Sequence, residues 1–148
     1  SQLDRFLMRI ELGYPDVSAE RTLLKGRDRR EMVAEVEPIL QPRALFEMQQ
    51  RVSGIHVSDA LIDYIQALLS HSRIAPGFQS GLSPRAGLSL RSAAQAWAMI
   101  AGRNHVLPED VQAVLPAVVG HRLRVRDRAH DASPGETASR LLREVPIP

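Results

Sequence analysis

Ser83-Pro84-Arg85-Ala86-Gly87-Leu88 decides how this chain is read, because it starts a helix and puts an arginine in its first turn. Ser83 suits the N-cap, and Pro84 suits the first helical position, where its missing N–H is no loss. The segment that follows, to about Ala101, is rich in small residues: Ala86, Gly87, Ala93, Ala94, Ala96 and Ala98. Small side chains let neighbouring helices approach closely, and Leu90, Trp97 and Ile100 are expected to supply bulk. Gly102 ends the helix. Arg85 is out of place, since a helix N-terminus already carries about half a positive charge. The mismatch costs up to about 1 kcal/mol. An anion in front of the helix would resolve it, with amides, dipole and guanidinium converging on one phosphate. The plainer reading is an arginine lying over the surface or pairing with a carboxylate.

Working outward, the remaining elements are mostly helical. Phe6 to Ile10 reads as one short strand, followed by a turn at Gly13-Tyr14-Pro15-Asp16. Ser18 is read as the cap of a short helix to about Lys25. Gly26 to Glu35 is a highly charged, solvated connection. Prolines at 38 and 42 keep Val36 to Leu40 extended. A helix then runs from about Arg43 to Arg51. Ser58 opens a stronger one to about Arg73, with Leu61, Ile62, Ile65, Leu68 and Leu69 on one stripe. Pro108-Glu109-Asp110 starts a helix whose Val111, Val114, Leu115, Val118 and Val119 face inward, and Pro116 should kink or split it. Ser133-Pro134-Gly135-Glu136 is a capping box opening a last helix to about Glu144. The fold class expected is all-α: a helical bundle preceded by one short strand.

Composition narrows the functions available. The chain has 148 residues, enough for one domain with a real core. Aromatics are 4% of it, so aliphatic residues and alanine must build that core. There is no cysteine, which excludes disulfides and thiolate metal sites. No apolar run approaches the roughly 20 residues of a membrane span, and no signal peptide is visible, so a cytoplasmic location is expected. Net charge is only +2, and of 19 basic residues Lys25 is the one lysine. No G-x-x-x-x-G-K-[ST] loop, G-x-S-x-G or H-E-x-x-H is present. The five histidines share no ligand-like spacing, so no metal site is expected. A segment without these motifs is not expected to act as an enzyme on its own. It begins without an initiator Met, abruptly, like a piece of a longer protein.

Several short motifs, in order, resemble the C-terminal part of the MoxR branch of AAA+ ATPases. Gln2-Leu3-Asp4-Arg5-Phe6-Leu7 looks like the entry to the last strand of the ATPase core, and Gly13-Tyr14-Pro15 like the passage to the lid. Val57-Ser58-Asp59 with Tyr64-Ile65 is similar to a lid helix start. Gly81-Leu82-Ser83-Pro84-Arg85-Ala86 resembles the sensor 2 segment. Gly102-Arg103, Pro108-Glu109-Asp110-Val111 and His121-Arg122-Leu123 resemble the closing part. Leu107 departs from the pattern, standing where a hydroxyl residue often precedes Pro-Glu-Asp; the lost cap should cost about 1 kcal/mol. Leu82 stands where a small residue is more usual.

The resemblance implies roles and boundaries. Arg5 would be the arginine finger, acting on the nucleotide of a neighbouring subunit; its alternative is a surface charge paired with Asp4 or another carboxylate. Arg85 would be the sensor 2 arginine, with Ser83 and Pro84 beside it in the nucleotide-binding set. Residues 1–15 would end the ATPase core, 16–124 form the lid, and 125–148 a tail with a terminal helix. The intact protein is expected to bind ATP and Mg2+ and to hydrolyse ATP as a ring, a hexamer by the family pattern. It would act as a chaperone-like factor in maturation or cofactor insertion, with von Willebrand A domain proteins as partners and an unnamed client. The segment alone would carry no cofactor. The competing reading is a helical adaptor that binds nucleic acid or protein through Arg122-Arg124-Arg126-Arg128. No aromatics interleave there and Asp127 and Asp131 interrupt it, so a solvated face is preferred and nucleic acid is not expected.

Overall fold

Four helices hold the core, and three of them open on a serine cap legible in the sequence. In the computed structural model, which describes residues 2–124 and 133–147, α4 spans Asp59–Ile74, α5 Pro84–Ile100, α6 Pro108–Val119 and α7 Pro134–Glu144. Ser58 Oγ accepts from Leu61 N–H at 3.3 Å and Ser83 Oγ from Ala86 N–H at 3.2 Å. Ser133 and Glu136 complete the expected capping box, with Ser133 N–H donating back to the glutamate at 2.7 Å. α5 packs on α6, α6 on α7, and α4 on both α5 and α7. Gly87 sits at the α4–α5 contact, where an added Cβ would lie 3.1 Å from Leu69.

The helices bury slightly different faces from those expected. On α4, Tyr64 joins Leu61, Ile65, Leu68 and Leu69 in the core, while Ile62 stays exposed. α5 turns its small residues inward: Ala86, Ala93, Ala94 and Ala98 are buried with Leu90, whereas Trp97 and Ile100 face solvent. A close helix–helix approach leaves no room for an indole, so the bulk comes from α4 and α6 instead. On α6 all five expected apolar residues are buried. Pro116 does not split α6, which runs unbroken to Val119.

The strand read at Phe6 to Ile10 does not form. Gln2–Arg5 is a single 3-10 turn and residues 6 to 16 carry no regular element. A strand needs an edge to pair with, and among the described residues there is no strand, only one isolated bridge between His56 and His105. Instead, the segment is held by α6, with Arg9 N–H donating to Ala117 O at 2.8 Å.

Backbone contacts divide the chain into two units, residues up to 10 together with 49 onward, and residues 11–48. The second unit contains α1 (Val17–Lys25), α2 (Arg29–Val33) and most of α3 (Pro42–Ser53). Asp16, not Ser18, caps α1; its carboxylate accepts from Ala19 N–H at 2.8 Å. The charged stretch expected as a connection includes the short α2, capped by Asp28. No described residue from 11 to 48 is buried.

Candidate functional site

The site is built around the start of α5. Gly81 lies so close to the end of α4 that a Cβ there would stand 2.6 Å from Arg73 Cα. Arg73 Nε donates to Leu82 O at 3.0 Å, and Leu82 N–H donates to Ser72 Oγ at 2.9 Å. Leu82 itself is buried, which accounts for a large residue where a small one is more usual. These contacts fix the loop that delivers Ser83 and Pro84 to the helix start. Pro84 takes the first helical position, as its ring requires.

Arg85 is exposed, and no hydrogen bond or ion pair to it is found among the described residues. No acidic residue stands in the first turn of α5. The carboxylate partner of the plainer reading is not found among the described residues, whereas an arginine lying over the surface fits this exposure. An exposed guanidinium thus stands in the first turn, at the positive end of a 17-residue helix, a combination suited to phosphate or carboxylate.

Arg5 ends the 3-10 turn and is also exposed; its Nε donates to Gln2 O at 3.1 Å. It does not pair with Asp4. Asp4 turns inward and accepts from Ser83 Oγ at 3.0 and 3.1 Å and from Arg122 Nε at 3.2 Å. Ser83 thus does two jobs: its lone pair caps α5 and its proton goes to Asp4. The structure brings the Arg5 turn to the Ser83 cap through this carboxylate.

Arg122 overturns its place in a solvated arginine face. Its side chain is only 3% exposed. Its guanidinium donates to Asp4 O at 3.1 Å, Leu7 O at 3.1 Å, Ser89 Oγ at 3.3 Å, and to the carbonyls of Phe6 and Val118. A buried guanidinium needs its donors satisfied, and only an arginine offers enough of them. Arg124 is exposed, while Arg126 and Arg128 lie outside the described residues. The alternation is therefore not one basic surface. Sequence reasoning missed Asp4 and Arg122 as partners; the hint was His121-Arg122-Leu123 following directly on the inward face of α6. A cleft of about 580 Å3 opens beside this cluster, with Asp4, Ser83 and Arg122 in its wall.

A second ion pair closes the other end of α5. Arg103 grips Asp110 bidentately, with Nη1 to Oδ2 at 2.7 Å and Nη2 to Oδ1 at 2.5 Å. The hydrogen bonds from Arg103 hold the buried Asp110 carboxyl below the usual carboxylate range, against the opposing effect of burial. Asp110 also accepts from Leu107 N–H at 2.8 Å. This supplies half of a capping box at a position whose leucine offers no oxygen. Among the described residues no group of three or more His, Asp or Glu could hold a metal ion, and no helix is long and apolar enough to cross a membrane.

Comparison with known proteins identifies the family. The AAA lid domain model matches residues 70–145. Chaperone MoxR1 of Mycobacterium tuberculosis is 31% identical across the whole chain, which covers 42% of that protein. Protein MoxR of Paracoccus denitrificans is 37% identical over 81% of the chain and 41% of its own length. The crystal structure of a candidate ATPase from Cytophaga hutchinsonii superposes with a TM-score of 0.82 at 27% identity, over 99% of this chain and 48% of that one. The chain spans less than half the length of these relatives. It belongs to the AAA lid domain family, in the MoxR branch that its motifs resemble.

Proposed function

We propose that this chain is the sensor 2 lid, with the finger-bearing end of the ATPase core, of a MoxR-type protein that hydrolyses ATP. The observation that carries the reading is Arg85: exposed, without a partner among the described residues, and in the first turn of a helix that has no acidic residue of its own there. Its guanidinium would bind the terminal phosphate, and Ser83 and Pro84 would hold the helix start that aims it. Arg5 would reach the nucleotide of the next subunit in a ring, expected as a hexamer. Bound ATP with Mg2+ supplies the phosphoryl group, and the Mg2+ ligands would lie in the nucleotide-binding core. Phosphoryl transfer is mostly positioning and charge stabilisation, so an arginine finger contributes about 10³–10⁵ in rate. Loss of the γ-phosphate would release Arg85 and change the lid angle. That movement would serve a chaperone-like role in maturation or cofactor insertion in the cytoplasm, with von Willebrand A domain proteins as partners.

In the full-length protein, Arg85→Ala should lower ATP turnover at least about tenfold, with the melting temperature little changed. Wild-type turnover in that variant would remove Arg85 from the site. The adaptor reading is weaker because Arg122, the first of its four arginines, is buried.

A further inference from the structure

Arg122 does more than fill a gap in the core. It donates to the carbonyls of Asp4, Phe6 and Leu7, so it holds the backbone on both sides of Arg5. Its Nε also meets the Asp4 carboxylate, which in turn accepts from the Ser83 hydroxyl. His121, in the tautomer protonated at Nε2, adds a bond to Phe6 O at 3.3 Å. The result is an exposed arginine on a clamped backbone. The same carboxylate reaches the cap of the helix that carries Arg85.

We infer that Asp4 and Arg122 are positioning residues: a latch that holds Arg5 outward and ties it to the Ser83 cap, so that both arginines move as one piece. The inference rests on the finger and sensor readings above. A long side chain presented from the end of a single 3-10 turn sweeps a wide volume, and clamping its backbone removes most of that freedom before any nucleotide arrives. The buried guanidinium is suited to this because it offers five N–H donors in a rigid fork, enough to hold several acceptors at once. A lysine has three donors and no plane.

The latch also links the two arginines that would meet nucleotide. Asp4 joins them by one hydrogen bond and one ion pair, so a shift of the α5 start is transmitted to the finger without passing through the bundle core. Partial breakage should loosen the finger and leave the bundle folded, because Asp4 is half-buried and Arg122 retains Val118 O and Ser89 Oγ as partners.

The test measures steady-state ATP hydrolysis by the full-length protein carrying Asp4→Asn or Arg122→Met, each alone and each combined with Arg5→Ala. Each single change should lower kcat about 10- to 100-fold, with KM for ATP within about threefold. Each should lower kcat much less once Arg5 is alanine, since most of the latch's effect on turnover passes through that side chain. A wild-type kcat in both single variants overturns the inference, as does an undiminished loss on the Arg5→Ala background. Amide hydrogen exchange on the 148-residue chain reads the latch independently of catalysis. The Arg9 amide should exchange at least about tenfold faster in Asp4→Asn, and an unchanged rate overturns the latch. If Arg122→Met does not fold, Asp4→Asn carries both measurements. Wild-type turnover in Arg5→Ala alone, with faster Arg9 exchange in Asp4→Asn, would keep the latch as a structural clamp but overturn its role in positioning a finger.

Discussion

Asp110 shows how much one residue can contribute in this chain. Its carboxylate meets Arg103 in a two-bond fork and caps Leu107, and its side chain is 3% exposed. Replacing it with Asn keeps the shape but loses the charge-assisted bonds, at a cost of about 1–3 kcal/mol. Arg103 is 27% exposed, and solvent screening places the effect in the lower part of that range. The sign of the pH dependence follows from the depressed folded pKa. The stabilisation is fully present above the unfolded value near 4 and is lost as pH falls through the lower folded value. Urea denaturation of wild type and Asp110→Asn should therefore show a clear gap at pH 7 that narrows below about pH 4; an equal gap at both would contradict the assignment. At this scale the sequence was only partly legible. Arg85 announced itself because its misfit is local, a charge against a helix dipole. Asp4 and Arg122 did not, because they are 118 positions apart and their meaning depends on a packing contact.

At the scale of elements, caps were the readable signal. Ser58, Ser83 and Ser133 each close a ring of three or four residues, so their geometry is set within the sequence window that names them. Gly102 behaves likewise. It takes φ +75°, with its N–H donating to Met99 O at 3.0 Å and that of Arg103 to Ala98 O at 2.9 Å. This pairing is the Schellman end of a helix and needs a left-handed residue. Gly102→Ala should cost about 1 kcal/mol although nothing stands within 4 Å of the added Cβ. Gly135 is the contrast: its φ is not positive and its Cβ would meet only Ser133 Oγ at 3.9 Å. Gly135→Ala in the first turn of α7 should instead stabilise by about 0.4–1 kcal/mol. Opposite shifts in the urea midpoint are expected, and shifts of the same sign would show that the conformational argument fails here. The missing strand and the outward Trp97 were illegible for the opposite reason: a strand needs a second strand, and a helix's buried face depends on what its neighbours bring.

At the scale of the molecule, α7 decides how far the bundle extends. Ala138, Leu141 and Val145 enter the same core as α4 and α6, and Leu141 is fully buried. The capping box made this helix visible in sequence, but nothing local told whether it docks, because docking is a property of α4 and α6. One polar contact assists it: His71 Nε2 meets Glu144 at 2.6 Å, and this bond, with a smaller effect from Arg140, holds the Glu144 carboxyl below its usual range. That pair is part-exposed, so burying the leucine stabilises the docked helix more than the ion pair does. Leu141→Ala should destabilise the bundle by about 2–4 kcal/mol. If α7 is integral, the loss should appear in a single transition that also lowers hydrogen-exchange protection in α4 and α6. If α7 were an accessory tail, the change would unfold α7 alone and leave protection in α4 through α6 as in wild type. Residues 11–48 supply the internal contrast, since none of those described is buried. Their amides should exchange faster than those of the core helices in wild type and should respond little to Leu141→Ala, so that one exchange experiment separates a core defect from a general loosening of the chain.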